Sequence, residues 1–325
     1  MTAVSPGTGR WRHRYAVFLA GATFLLVIAG GLVTSTGSGL AVPDWPLSFG
    51  QVFPRMEGGV LFEHGHRLLA ASVGLLTVVL ALWTRAAESR AWVRRLAWLM
   101  VLAVVLQGVL GGTTVLLRLP DAVSVAHAGL AQIFFALTVV MAAATGRRTQ
   151  PHGRTGAPLD DTPVAFTRAL TLACAAAIYV QILLGAVVRH TGAGLAIPDF
   201  PLAFGRVVPP FTSPLVAWHY AHRIGALVVS VLVVWAAVRV ALRHGRDARL
   251  VAPATLLVAL IGLQIFLGAL TILTLRAVVP TTAHVATGAL LLATSVLLAV
   301  RANQAPAAAG AVPAEPLGDP AGALR

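Results

Sequence analysis

Eight continuous apolar segments constrain the fold of this 325-residue chain more than any other feature. About 20 apolar residues in succession form a helix that crosses a bilayer, and continuous runs of this length favour helices over the strands of a barrel. Hydrophobic residues make up 58% of the chain and charged residues 11%, too few to cover a soluble protein of this size. The sequence therefore predicts an all-α integral membrane protein with eight transmembrane helices. The segments lie at roughly 15–35, 67–84, 96–117, 122–145, 169–189, 221–242, 250–274 and 280–300.

The arginines predict how the chain is oriented. The net charge is +13, every basic residue is an arginine, and these arginines concentrate before, between or after alternate apolar segments. Basic residues of this distribution mark the cytoplasmic side of a membrane protein. We therefore expect a multi-pass protein of the bacterial cytoplasmic (inner) membrane with both termini in the cytoplasm. Because topology accounts for the charge, we expect the lipid bilayer and no nucleic acid as a partner.

An internal repeat predicts how the eight helices are arranged. The segment Gly37–Gly50, GSGLAVPDWPLSFG, returns at Gly192–Gly205 as GAGLAIPDFPLAFG. Each half contains four apolar segments, an even number, so both halves enter the membrane in the same direction. The sequence thus predicts two parallel-repeat four-helix bundles, related by an axis along the membrane normal.

The repeat also divides the chain into predicted domains. A cytoplasmic segment and the first bundle form the N-terminal half, a polar linker follows, and the second bundle ends in an Ala- and Pro-rich tail that we expect to be disordered. The predicted boundaries are 1–14 for the N-terminal segment, 15–145 for the N-terminal bundle, 146–168 for the linker, 169–301 for the C-terminal bundle and 302–325 for the tail.

Four histidines follow the same repeat. His66 and His222 open the second and sixth segments, and His127 and His284 lie 61 and 62 residues further on, inside the fourth and eighth. Ionisable residues inside a membrane are costly and usually functional, and imidazoles from facing helices can ligate one haem iron. The pattern predicts two bis-histidine pockets near the outer face; the alternative is a set of histidines that hydrogen-bond between helices.

An arginine follows directly after two of these histidines. Arg67 and Arg223 lie at the predicted outer interface, where a guanidinium can pair with a haem propionate. The alternative is an arginine that extends towards the lipid headgroups.

One position differs between the two repeats in a way that bears on chemistry. Glu63 lies three residues before His66, on the same helical face, and His219 takes its place before His222. A carboxylate beside a bound substrate can act as a base or stabilise positive charge, whereas the alternative is a solvated loop carboxylate. We interpret the half with Glu63 as the catalytic one and the other half as a redox cofactor site.

Taken together, these motifs resemble the haem A synthase family, in its bacterial form. The resemblance covers about residues 15–301 and rests on the TGSGL…PDWP loop, the Glu63-x-x-His66-Arg67 and His222-Arg223 motifs, and the later His127 and His284. One departure is a cysteine pair of many bacterial members, which is missing here at or beside Val42 and Ser48.

The resemblance implies a function and a role for each site residue. It implies a haem b cofactor with His222 and His284 as axial ligands, and haem O as a substrate with His66 and His127 as ligands. Glu63 would be the catalytic carboxylate. A ring methyl of haem O would be oxidised to a formyl group through successive hydroxylations and loss of water, with electrons leaving through haem b.

Two other functions use the same four histidines. One is a two-haem b-type membrane electron-transfer cytochrome, which would not need Glu63 in only one half. The other is a haem delivery protein for a terminal oxidase. Haem O synthase and terminal oxidase assembly factors are the protein partners that the resemblance suggests, and the sequence leaves a homo-oligomer open.

Overall fold

The computed structural model describes residues 6–146 and 162–304, and eight long helices make up most of them. Each is long and apolar enough to cross a membrane, and the described residues contain no strand beyond isolated bridges. The prediction of an all-α membrane protein with eight transmembrane helices is confirmed. The helices are α1 (Pro6–Ser35), α2 (Gly59–Ala87), α3 (Ala91–Leu116), α4 (Asp121–Thr145), α5 (Thr162–His190), α6 (Pro214–His244), α7 (Ala248–Leu273) and α8 (Val278–Gln304).

Several helices extend beyond the apolar segments that predict them. Helix α1 begins at Pro6 and α2 at Gly59, rather than at about 15 and 67. Backbone hydrogen bonding continues through polar turns at a helix end, where hydropathy alone gives no signal. Of the predicted linker and tail, residues 147–161 and 305–325 lie outside the described part, while α5 already begins at Thr162 and α8 continues to Gln304.

Two helices of the C-terminal half begin directly after a residue whose side chain caps them. Ser213 precedes α6 and accepts a 3.4 Å hydrogen bond from the Val216 N–H, with Pro214 in the first turn. Asp247 precedes α7 and accepts a 3.0 Å bond from the Arg249 N–H. Both side chains satisfy backbone donors that a helix leaves unpaired at its start.

Each half packs around its own apolar core. Helices α1 and α3 each contact α2 and α4, and α5 and α7 each contact α6 and α8. The halves meet through α1 with α8, and through α4 with α5 and α8. Leu19 and Met141 are fully buried in the first core, and Val233 and Leu298 in the second. The description of the halves as a parallel repeat stays a prediction.

The two ends of the helix bundle differ in character. At one end Glu88 accepts hydrogen bonds from Arg12 at 2.7 Å and from Arg90 at 2.8 Å, and Arg90 also donates to the Ala144 carbonyl at 2.9 Å. These contacts join the start of α1, the turn between α2 and α3, and the end of α4. The opposite end, here called the loop end, carries the long connections between α1 and α2 and between α5 and α6.

Candidate functional site

All four repeated histidines lie near the loop end, one on each even-numbered helix, and each packs against a glycine of the preceding helix. A Cβ atom added to any of these glycines would lie only 3.0–3.1 Å from the Cε1 atom of the histidine. Glycine therefore lets each imidazole lie directly on the backbone of its neighbouring helix. The pairs are Gly30 with His66, Gly111 with His127, Gly185 with His222, and Gly268 with His284.

The four glycines differ in how clearly the sequence marks them. Gly111 and Gly268 belong to matched Gln-x3-Gly segments, so the sequence drew attention to them. Gly30 and Gly185 lie inside apolar segments, but each precedes the first glycine of a loop repeat, Gly37 or Gly192, by the same seven residues. That constant interval is the signal that could have identified them.

The two histidines of the C-terminal half face each other. The ring centroids of His222 and His284 are 6.5 Å apart and the rings are inclined by 73°. Two imidazoles that share one metal ion have centroids roughly 6 Å apart, because each metal–nitrogen bond is about 2 Å long. The observed spacing therefore fits a single iron between the rings.

Glutamine amides contact both of these rings. Gln181 Nε2 lies 3.0 Å from His222 Nδ1 and donates to the His222 carbonyl at 2.7 Å. Gln264 Nε2 lies 3.3 Å from His284 Nε2, and His284 Nδ1 lies 3.1 Å from the Gln264 carbonyl oxygen. Partners of this kind fix the orientation of a ligating imidazole.

The two histidines of the N-terminal half are also neighbours, but only one has such a partner. His66 and His127 are close enough to interact electrostatically. Gln107 Nε2 lies 3.1 Å from His127 Nδ1 and donates to the His127 carbonyl at 3.0 Å. His66 Nδ1, in contrast, is buried without a hydrogen-bond partner.

The side chains that could ligate a metal come in pairs rather than in larger clusters. Within residues 6–146 and 162–304, no group of three or more His, Cys, Asp or Glu side chains is placed to hold a metal ion. A bare zinc or iron ion in a protein takes three or four such ligands. Two facing imidazoles fit haem iron, because the porphyrin supplies the remaining ligands.

Glu63 is buried at the start of α2 and is bonded to the loop before it. Its Oε2 accepts a 2.9 Å hydrogen bond from the Val42 N–H, and its Oε1 accepts one from Arg67 Nη2 at 2.6 Å. Only 4% of its side chain is exposed, so it is not a solvated loop carboxylate. In the second half His219 Nδ1 accepts the corresponding bond from the Ile197 N–H at 3.2 Å.

Arg67 and Arg223 hold the two loops through backbone carbonyls. Arg67 Nη1 donates to Asp44 O at 2.7 Å and to Leu47 O at 2.9 Å. Arg223 Nη2 donates to Asp199 O at 2.7 Å, and its Nη1 bonds the loop as well. Each guanidinium thus lies between its loop and its histidine helix, and contact with a haem propionate stays a prediction.

One aspartate braces each loop internally. Asp44 accepts hydrogen bonds from the N–H groups of Phe49 at 2.7 Å and Gly50 at 2.8 Å, and Asp199 makes equivalent bonds at the same distances. Hydrogen bonds from these two N–H groups, Gly50 first, lower the pKa of the Asp44 carboxyl. The carboxylates are therefore charged at neutral pH and hold the turns closed.

The positions associated with the missing cysteine pair are buried residues of the first loop. Val42 and Ser48 are both fully buried. Val42 donates to Glu63, and Ser48 Oγ lies 2.7 Å from Nδ1 of His64. His64 therefore faces the loop.

A family model describes nearly the whole membrane part of the chain. The model for the cytochrome oxidase assembly proteins COX15-CtaA matches residues 13–296. The chain belongs to this family. The paired histidines, both loops and helices α2 to α7 lie within the matched region, as do most of α1 and α8.

Named relatives within the family agree with the sequence resemblance. A protein named "Heme A synthase" from Symbiobacterium thermophilum is 35% identical over 223 residues, 67% of this chain and 72% of the relative. Proteins of the same name from Shouchella clausii and Geobacillus kaustophilus are 33% and 30% identical over 222 and 262 residues, covering 72% and 79% of the relatives. The chain is thus a multi-pass membrane protein of the haem A synthase family.

Proposed function

We propose that this protein is a haem A synthase, a membrane-bound oxidoreductase that oxidises a ring methyl of haem O to a formyl group through successive hydroxylations and loss of water. The electrons removed from the methyl carbon would leave through a haem b held in the C-terminal half. Family membership and the names of the relatives support the reaction. One observation supports the assignment of the substrate to the N-terminal half and of the cofactor to the C-terminal half. Glu63 is a buried carboxylate one helical turn before His66, where the second half has His219.

The N-terminal half is the substrate half in this proposal. His66 and His127 bind the iron of haem O, and the close packing of both rings on glycines fixes where the macrocycle lies. Glu63 Oε1 and Oε2 remain beside the substrate edge near His66 and accept a proton from the oxidised carbon substituent or stabilise positive charge there. The Val42 N–H and the Arg67 guanidinium hold this carboxylate in a fixed orientation.

The C-terminal half holds the cofactor. The 6.5 Å spacing of His222 and His284 supports both as axial ligands of a haem b, which when bound supplies one-electron redox chemistry. Gln181 and Gln264 orient the two imidazoles. His219 has no carboxylate and keeps the loop bond to Ile197, so this half binds without carrying out the oxidation.

Arg67 and Arg223 are proposed to contact the haem propionates at the loop end while they hold the loops. Arg67 Nη1 and Nη2 already donate to loop carbonyls and to Glu63, so a propionate would use its Nε or replace a loop carbonyl. Arg223 Nε is buried without a hydrogen-bond partner and offers a donor to a carboxylate. Propionates that point to the loop end would place both tetrapyrroles near the outer surface.

The membrane orientation follows from the two ends of the bundle. The arginines that join α1, α2, α3 and α4 lie at one end, and the paired histidines lie near the other. We propose that the arginine end faces the cytoplasm of a bacterial cell and carries both termini. Haem O synthase and terminal oxidase assembly factors are the proposed protein partners, before and after the reaction.

The test is to produce the protein together with a haem O synthase in a host that makes no haem A, and to identify the extracted haems by mass. The proposal expects haem A, or its alcohol intermediate, in addition to haem b. Haem O that binds and is recovered unchanged would instead indicate a delivery protein. Recovery of two haem b molecules without reaction would indicate an electron-transfer cytochrome.

A further inference from the structure

The four histidine–glycine contacts form one pattern with a single exception. Four residues before each glycine, one helical turn earlier on the same helix face, stands a second residue beside the imidazole. Three of the four are glutamines and the fourth is a leucine. They are Gln107, Gln181 and Gln264 on α3, α5 and α7, and Leu26 on α1.

The exception changes the surroundings of His66 alone. The amide nitrogens of the three glutamines lie 3.0–3.3 Å from a ring nitrogen of His222, His127 and His284. The leucine side chain offers no donor or acceptor. Leu26 offers the His66 ring only its backbone carbonyl, and no side chain bonds the buried Nδ1 of His66.

The glutamines are suited to a metal-bound imidazole. When Nε2 binds iron, Nδ1 carries a proton and needs an acceptor. His284 Nδ1 has the Gln264 carbonyl oxygen as this acceptor, at 3.1 Å. Gln107 and Gln181 hold their histidines through the side-chain amide, which contacts Nδ1 and donates to the backbone carbonyl of the same histidine. Partners of this kind orient the ring, and the loss of one typically lowers metal affinity about 10- to 100-fold.

We infer that Leu26 makes His66 the one weak, exchangeable axial ligand among the four histidines. The substrate half then has one firmly held ligand, His127, and one that releases readily, while both ligands of the cofactor half are firmly held. This asymmetry lets one haem enter and leave while the other is retained. The inference deepens the proposed function, because it rests on the N-terminal pair being the substrate pair.

The experiment measures how fast haem leaves each half. The purified full-length protein is loaded with haem b in both pockets and mixed with excess apomyoglobin, and the transfer is followed by absorbance. The wild-type protein should show a fast phase from the N-terminal pair and a slow phase from the C-terminal pair. Leu26→Gln should slow the fast phase about 10- to 100-fold and strengthen the low-spin bis-histidine spectrum. Leu26→Met, which fills similar volume without an amide, is the matched control and should behave as wild type.

The converse variant lies at the equivalent position of the second half. Gln181→Leu should accelerate the slow phase, and Gln107→Leu, which also removes an amide, provides a second test if Gln181→Leu does not fold. Equal rates for wild type, Leu26→Gln and Leu26→Met, or no acceleration in a folded glutamine variant, would overturn the inference. Haem transfer needs no oxidation, so a protein that forms no haem A but shows these rates would refute the proposed function and leave the ligand assignment standing.

Discussion

Glu63 accepts a 2.9 Å hydrogen bond from the backbone N–H of Val42, and this contact ties the proposed catalytic carboxylate to the loop above the substrate half. In the second half His219 accepts the matching bond from Ile197. Both residues thus share a structural task, and only Glu63 adds a carboxylate. The difference between the halves is one of charge at a position whose backbone contact is the same.

The glycines beneath the histidines should be required for haem binding. An alanine Cβ at position 268 would lie 3.1 Å from His284 Cε1 and displace the ring, whereas Gly262 on the same helix has nothing within 4 Å. Overpacking of this kind costs about 1–3 kcal/mol, so Gly268→Ala should lower haem b retention by roughly tenfold or more. The haem-to-protein ratio after purification measures this.

Gly262→Ala is the matched control on α7. It should keep its haem b and be slightly more stable, since alanine is the better helix former by about 1 kcal/mol. Equal haem content in Gly268→Ala and Gly262→Ala would contradict the packing argument.

The sequence predicted the eight spans and the four histidines, because continuous apolar runs and a duplicated motif are local signals. It could not predict that α1 begins at Pro6, because helical hydrogen bonding extends past the apolar boundary. Nor could it predict the loop contacts of Glu63 and Arg67, since these join residues about 20 apart that no periodicity connects. The contact of Gln181 with His222 is not predicted, because the Gln-x3-Gly pattern that Gln181 shares with Gln107 and Gln264 does not say which histidine the glutamine contacts.

Variants of the two histidine pairs should differ in whether they retain haem b. His222→Ala and His284→Ala should each lose haem b, because one remaining imidazole leaves the iron without its second axial ligand. His66→Ala should keep haem b and lose conversion of haem O. Absorbance spectra of the purified variants, with mass analysis of the extracted haems, test this, and loss of haem b in His66→Ala would reverse the assignment of the halves.

The aspartate brace should make the first loop sensitive to acid. The folded-state pKa of Asp44 is lowered, so the brace is fully present above the ordinary carboxyl pKa of 3.8 and weakens as pH falls through the lower folded value. Asp44→Ala should therefore increase amide hydrogen exchange of residues 42–51 at neutral pH, where the wild-type loop is protected. Asp199→Ala, the control, should loosen only the second loop, and unchanged exchange in Asp44→Ala would exclude the brace.

The ion pairs at the arginine end should contribute stability with a defined pH dependence. The hydrogen bond with Arg90, more than any other contact, lowers the pKa of Glu88 to about 2 from an ordinary value of 4.5. A carboxyl with a depressed folded pKa stabilises the protein above pH 4.5 and loses this contribution as pH falls towards 2. Glu88→Gln should cost about 2 kcal/mol at pH 7.

Thermal unfolding in detergent at pH 7, 5 and 3.5 measures the effect of Glu88→Gln. The gap in melting temperature between the variant and the wild type should be constant between pH 7 and 5 and narrow at 3.5. A gap that widens on acidification would show that another group carries the pH dependence.

The most direct measurement of the central claim is the mass of the haems extracted from Glu63→Gln and Glu63→His, each produced with a haem O synthase. Glu63→His copies His219 and keeps an acceptor for the Val42 N–H. It therefore distinguishes the effect of losing the carboxylate from the effect of losing the hydrogen bond to the loop. We predict haem b and unconverted haem O from both variants, and haem A from the wild type. Haem A at wild-type yield from either variant would contradict the assignment of Glu63 as the catalytic carboxylate.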